Sequence, residues 1–148
     1  MRKEIEIKQN NKRHTQAILT LLQSEKLPVA DLSETLDNFI IAIHNNNIVG
    51  AIGLEQYDTC GLLRSLVVNR NHRNENVAGK LLIQLEEKAS ELGIHCMYLL
   101  TETAPDYFAK KGYEKIRREE VPALLQKSSE FSHICPQSAI VMKKHLIK

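Results

Sequence analysis

The stretch from Leu62 to Leu100 constrains the fold more than any other part of the chain. Leu62 to Val68 is an apolar run of strand length. Asn76 to Leu92 then carries Val77, Leu81, Leu82, Leu85 and Ala89 at the spacing of one helix face. Glu86, Glu87, Lys88 and Glu91 occupy much of the other face, and Gly93 suits the left-handed residue that closes a helix. Cys96 to Leu100 is a second apolar strand. Strand, helix and strand in that order form a crossover that lays a helix over a sheet. The spacing therefore predicts an α/β chain with a mixed sheet.

The flanking segments supply the remaining strands. Glu4-Ile5-Glu6-Ile7-Lys8 alternates polar and apolar, which predicts a strand with one wet face. Asn10 or Asn11 can cap a helix carrying Ala17, Ile18, Leu21 and Leu22 as far as Gln23. Pro28 breaks that pattern, and Asp31 or Ser33 can open a short second helix through Leu36. Phe39 to His44 reads as a strand, Asn45-Asn46-Asn47 as a turn, and Ile48 to Gln56 as the hairpin partner. Ala104 to Lys111 is a short helix stopped by Gly112; Ile116 starts a strand, and Ala139 to Lys143 is the last. Lys143 and Lys144 read as its wet end. With no repeat or linker-like stretch, the reading is one domain over residues 1–148.

Composition narrows the classes of function. A hydrophobic fraction of 43% in 148 residues fills one core and excludes wholesale disorder. Lys and Arg number 20 against 18 Asp and Glu, so neither nucleic acid nor an anionic membrane is expected as a partner. The apolar run at Phe39 to Ile43 is far short of the roughly 20 residues of a membrane span. The first residues show no apolar signal core, so a cytoplasmic protein is expected. Cys60, Cys96 and Cys135 are odd in number and far apart, without metal-ligand spacing. They read as reduced thiols, and no metal is expected.

The chemistry concentrates between Leu66 and Leu82. A buried strand there meets a polar turn and the start of the strongest helix, where amides without helical partners and the helix dipole favour an anion. Ala78 and Gly79 let a ligand approach the backbone, and Arg70, His72, Arg73 and Lys80 gather positive charge opposed only by Glu75. A pyrophosphate fits such a site; a solvated loop is the plainer alternative.

These residues resemble the GNAT superfamily of acyl-CoA-dependent N-acetyltransferases, whose signature is strand, R/Q-x-x-G-x-G/A, helix. Here it reads Arg73-x-x-Asn76-x-Ala78, with Asn76 in a usual Gly place and Asn74 replacing another. Asn is the least strained substitute where φ is positive. A second family pattern, N-x-x-A-x-x-F-Y-x-x-x-G-F, is matched by Thr101-x-x-Ala104-x-x-Tyr107-Phe108-x-x-x-Gly112-Tyr113. The resemblance implies the GNAT fold, a mixed, mostly antiparallel sheet of about six to seven strands flanked by about four helices. It implies acetyl-CoA as cosubstrate, held by Leu66, Val67 and Val68, by Arg73, Asn74, Glu75, Asn76, Val77, Ala78, Gly79 and Lys80, and by Thr101 and Phe108. Phe108 stands where many members carry a Tyr that protonates the departing thiolate. Tyr107, Tyr113 or water could supply that proton, or the thiolate leaves unaided; core packing is the other role for both tyrosines.

The blocks Gly61 to Val68, Tyr98 to Ala104, and Phe131 to Ala139 resemble a subgroup known as arsenic-resistance N-acetyltransferases. Cys135 alone does not make a metalloid site, which wants two or three convergent thiols. In the region that faces the acetyl group in this superfamily, Glu55 is the best candidate base, directly or through water, with His44 behind it. Arg64 could bind a substrate carboxylate or oxyanion. The alternatives are a solvated Glu55 and an Arg64 salt-bridged on the outer sheet face. The expected substrate is a small-molecule amine, acidic and amino acid-like or an arsenical. A catalytically weak acyl-CoA-binding regulatory module is the alternative, and the resemblance allows a homodimer.

Overall fold

A computed structural model describes residues 5–9, 14–25, 39–72, 76–101, 104–126 and 139–146. The strands are β1 (Glu6–Gln9), β2 (Phe39–His44), β3 (Asn47–Tyr57), β4 (Cys60–Val68), β5 (Cys96–Thr101), β6 (Glu114–Ile116) and β7 (Ile140–His145). The helices are α1 (Thr15–Ser24), α2 (Val77–Glu91), α3 (Pro105–Lys110) and α4 (Ala123–Gln126). The seven strands form a mixed sheet in the order β1-β2-β3-β4-β5-β7-β6. β1–β2, β2–β3, β5–β7 and β6–β7 pair antiparallel, while β4 and β5 pair parallel across the α2 crossover. The residues group into two compact units, Met1–Leu54 with Ser65–Lys88 and Glu55–Arg64 with Ala89–Lys148.

In the first unit the β2–β3 hairpin turns at Asn45 and Asn46, with φ of 50° and 64°. Left-handed backbone at both central residues is what a two-residue turn between twisted strands requires, and Asn tolerates it. Asn47 is thus already in β3, opposite His44. β2 is buried from Phe39 to Ile43. Its Phe39, Ile41 and Ile43 pack with Ile18, Leu21 and Leu22 of α1 and with Ala51 and Val67. The predicted helix face of Val77, Leu81, Leu82, Leu85 and Ala89 is buried throughout.

In the second unit Leu62, Tyr98, Val121, Leu125 and Val141 make the core. There α2 ends as foreseen. Gly93 sits at φ 82°, its N–H bonds the Ser90 carbonyl at 3.1 Å, and the Ile94 N–H reaches back to Ala89 at 2.9 Å. That pairing satisfies carbonyls the helix end leaves over.

Several boundaries differ from expectation. α1 opens after His14, with no side-chain cap, rather than after Asn10 or Asn11, which lie outside the described residues. Its anchor is the apolar face beginning at Ile18; Ala17 is exposed. The helix expected from Asp31 or Ser33 to Leu36 also lies outside them. Ile116 ends β6 instead of starting it, because β6 pairs with β7 only from Glu114 to Ile116. α4 was not foreseen, since four residues are too few to show a helical period. Lys143 and Lys144 are half-buried rather than wet: Lys144 Nζ donates to the Lys111 carbonyl at 2.9 Å, and Lys143 lies 5.7 Å from the Tyr98 ring centre.

Gly50 is a steric requirement of the first unit. A Cβ there would stand 3.1 Å from Leu81, 3.2 Å from Val77 and 3.2 Å from the Val67 carbonyl oxygen. The last is backbone of β4 and yields little. Gly50→Ala is expected to destabilise the chain by about 1–3 kcal/mol, the usual cost of overpacking. In urea unfolding the midpoint falls while the slope stays unchanged.

Candidate functional site

β4 is the axis of the region singled out in the sequence. Its ladder with β5 runs from Cys60↔Cys96 to Leu62↔Tyr98 and stops there. Three residues later Ser65 takes φ 58°, a left-handed residue inside a strand. Such a residue kinks the strand and re-aims its side chains. Sequence reasoning missed it, since Leu63-Arg64-Ser65-Leu66 carries no Gly and no turn signal.

In the first unit, β4 continues through half-buried Leu66 and buried Val67 to Val68, and the Asn69 N–H bonds the Val49 carbonyl of β3 at 2.7 Å. The Asn69 side chain accepts from the Asn71 N–H at 2.9 Å, bending the chain into a short turn over Arg70–His72. Asn76 has φ 59°, and its carbonyl accepts the Lys80 N–H at 3.1 Å. The first bond of α2 thus starts at Asn76, so the amides of Val77, Ala78 and Gly79 have no acceptor within the helix. Val77 and Gly79 are buried, Ala78 is half-buried and Lys80 is exposed. Arg73, Asn74 and Glu75 lie outside the described residues.

The charge balance of this turn differs from the local reading. Arg70 pairs with Glu25, at 3.3 Å, so Glu75 is not the only acidic residue against the cluster. Glu25 is 45 positions away in sequence (70 − 25), beyond what a local charge window sees. His44 and His72 stack obliquely, their ring centres 5.3 Å apart.

In the second unit, Glu55 and Arg64 meet. Arg64 Nη1 donates to Glu55 Oε2 at 2.8 Å, and the Tyr57 hydroxyl donates to Glu55 Oε1 at 2.7 Å. Arg64 is 2% exposed, while the Glu55 side chain keeps 28% of its surface. The acidic partner that a charged residue in an apolar strand needs is therefore Glu55 of its own chain. Tyr57 was not singled out in the sequence, although its place two residues from Glu55, on the same strand face, was a usable signal.

Beyond β5, the Thr101 hydroxyl accepts the Ala104 N–H at 3.0 Å and closes the turn into α3. Phe108 is buried, with the Tyr107 and Tyr113 rings edge-on to it at 5.3 and 5.8 Å. Gly112, at φ 98°, ends α3, and the Tyr113 N–H bonds the Phe108 carbonyl at 3.0 Å. Tyr113 is 2% exposed. The Tyr107 hydroxyl is buried with no hydrogen-bond partner among the described residues, and burial pushes its pKa up from the ordinary tyrosine value. An orphaned buried hydroxyl fits an arriving ligand better than a finished core.

Among the described residues no three His, Cys, Asp or Glu side chains are placed to hold a metal ion, and no helix is long and apolar enough to cross a membrane.

The ion pair makes a stability prediction. Removing one partner of a buried pair costs about 3–5 kcal/mol, and the partial exposure of Glu55 points to the lower end. Glu55→Ala should therefore destabilise by about 3 kcal/mol by leaving Arg64 buried and charged, and Arg64→Met added to it should recover most of the loss. Chemical denaturation of the single and double variants reads this coupling.

A model of the acetyltransferase (GNAT) family matches residues 5–117. The amino-acid acetyltransferase of Neisseria meningitidis is 24% identical over 120 residues, which cover 77% of this chain and 28% of that protein. An uncharacterised N-acetyltransferase of Chlorobaculum tepidum is 26% identical over 98 residues, 66% of this chain and 63% of that one. Among solved structures, N-acetylglutamate synthase from Neisseria gonorrhoeae, complexed with coenzyme A and N-acetyl-glutamate, superposes with TM-score 0.84 at 19% identity, over 100% of this chain and 36% of that one. A Mycobacterium tuberculosis protein in complex with CoA superposes with TM-score 0.82 at 19% identity, over 96% and 99% of the two chains.

Proposed function

Because the chain belongs to the acetyltransferase (GNAT) family, we propose that it transfers the acetyl group of acetyl-CoA to the amine of a small, amino acid-like molecule. It is read as one cytoplasmic domain over residues 1–148. The amino-acid acetyltransferase and N-acetylglutamate synthase named above support the acceptor class, although this chain spans only 28% and 36% of their lengths. The sequence blocks shared with the arsenic-resistance subgroup add an arsenical amine to the acceptors worth testing. One observation carries the reading. Asn76 keeps the left-handed backbone at the place where the family uses Gly, at the mouth of a helix whose first amides have no acceptor within it. That arrangement suits a pyrophosphate.

Acetyl-CoA, when bound, supplies the acetyl group as a thioester. The amides of Val77, Ala78 and Gly79 would hold its pyrophosphate with Arg73, Asn74, Glu75 and Lys80, and the backbone of Leu66 to Val68 its pantetheine arm. Thr101 shapes the turn that leads to Phe108. Glu55 binds the acceptor's amine and removes its proton, directly or through water. Arg64 acts through Glu55, as a positioning residue, by fixing one carboxylate oxygen while Tyr57 fixes the other. Tyr107 holds a proton that it can give to the departing thiolate. Its raised pKa keeps the hydroxyl protonated at neutral pH. Tyr113 serves by packing against Phe108.

The direct test is thiol release from acetyl-CoA across a panel of amino acids, simple amines and an arsenical amine. Turnover with amino acids is expected. CoA binding with no turnover on any amine would instead favour the regulatory module, which the aromatic Phe108 in place of Tyr recommends.

Tyr107→Phe should lower kcat about tenfold to hundredfold, below the ~10²–10⁴ of a fully required general acid. An alkyl thiol of pKa about 8.5 is already a tolerable leaving group. CoA affinity by calorimetry and the melting temperature should hold or rise slightly, since the hydroxyl lost has no hydrogen-bond partner among the described residues. Unchanged kcat would assign Tyr107 to packing.

A further inference from the structure

The second unit holds two thiols that the acyl-transfer reading leaves without a role. Cys60 on β4 and Cys96 on β5 are register partners in the parallel ladder, and both pack against the cluster of Leu62, Tyr98 and Val141. They therefore share one face of the sheet. Neighbouring strands lie about 4.7–4.9 Å apart. That spacing falls within the Cα separation of about 4.4–6.8 Å that a disulfide spans. On the other side of Cys96, β7 places His145 in the same cross-strand row. Its Nδ1 lies 3.3 Å from Cys96 Sγ. Both thiols are free and only partly buried, and His145 is exposed, so a small solute can reach the row. In the sequence these residues stand 36 and 49 positions apart (96 − 60 and 145 − 96), which is why no thiol motif was visible. The three side chains form a line across the sheet rather than a convergent cage, and they are not placed to hold a metal ion.

We propose that Cys96 and Cys60 form a peroxide-sensing thiol pair, with His145 as the base that activates Cys96. His145 Nδ1 takes the Cys96 proton. The thiolate then attacks a hydroperoxide: an S–O bond forms, the O–O bond breaks, Cys96 becomes a sulfenic acid, and the peroxide leaves as alkoxide or hydroxide that takes up a proton. The Cys60 sulfur next attacks Cys96 Sγ. The S–S bond forms, the S–O bond breaks, and the hydroxide departs with the Cys60 proton as water. In sum, two thiols lose two electrons and two protons, and one peroxide is reduced to an alcohol, or to water, and a further water. Burial beside Cys96 holds the Cys60 thiol above its ordinary pKa, which suits the resolving rather than the attacking partner. The product is a disulfide across the first pair of the β4–β5 ladder.

The test uses the whole chain, as wild type and as Cys135→Ser, exposed to equimolar hydrogen peroxide without reductant. A monomer lighter by two hydrogens is expected in both, with the Cys60 and Cys96 peptides joined and separated again by dithiothreitol. In Cys60→Ser, dimedone should label Cys96. In His145→Asn that labelling should slow at least about fivefold at neutral pH, as expected when a thiolate loses its base. Joined peptides that contain only Cys135, or cross-links only between chains, overturn the pair. Dimedone labelling at an unchanged rate in His145→Asn overturns the base.

Discussion

β4 runs from Cys60 to Val68 with a left-handed residue, Ser65, inside it, a conformation that disturbs regular strand geometry. The conformation costs roughly 1–2 kcal/mol for a residue with a Cβ. It is held by what lies on either side, Leu62 to Arg64 and Val67, all nearly inaccessible to solvent. The consequence is visible in burial, which runs through four consecutive residues, Gly61 to Arg64, and then opens at Ser65 and Leu66. A regular two-sided strand would not change character at its midpoint. The pairing with β5 ends at Leu62, and the half of β4 beyond it leads to the turn over Arg70–His72. A strained residue inside an otherwise apolar strand points to function, because packing alone would have favoured the straight strand.

Charge obeys a related constraint. A guanidinium as buried as Arg64 demands an anion, and Glu55 supplies one with a second donor, Tyr57, on its other oxygen. Such a cluster adds little net stability compared with an apolar substitute of the same shape. What it does provide is a carboxylate whose position is fixed from two directions and whose side chain keeps part of its surface in solvent. That is a suitable arrangement for meeting an ammonium group. Arg64, engaged with Glu55, is held to a carboxylate of its own chain, so the role proposed for it runs through Glu55.

The sequence showed most of the scaffold and less of the site, and the physical reason is range. The α2 face, the Asn45-Asn46 turn and the Gly93 and Gly112 helix ends were legible because each depends on residues within a turn or two. The brevity of β6 depends on its pairing with β7, and α4 is too short to leave a periodic trace. In the site, Asn76 was legible because its conformation is local. The Glu55–Arg64 pair was legible only as two candidates, since nothing in the sequence says that β3 and β4 bring them face to face. The Arg70–Glu25 pair and the Cys60–Cys96–His145 row were not legible at all, because they cross the fold.

The departures from the family pattern sort by what the backbone must do. Asn76 replaces Gly where only a φ and an amide are needed, and both are preserved. Phe108 replaces Tyr at the place where the family pattern carries a proton donor, and the neighbouring Tyr107 is the donor proposed in its stead. Consecutive helical residues point about 100° apart around the axis, given 3.6 residues per turn. A hydroxyl on Tyr107 therefore approaches from another side. The two proton transfers are also unequal in difficulty. An alkylammonium with pKa near 10.4 must lose a proton at pH 7 at a cost of about 4–5 kcal/mol, whereas a thiolate with pKa near 8.5 departs against about 2 kcal/mol. A chain that loses the acid at position 108 thus gives up the smaller share of the barrier. The larger share belongs to deprotonating the amine, the step proposed for Glu55, whose two oxygens each accept a hydrogen bond, from Arg64 and from Tyr57.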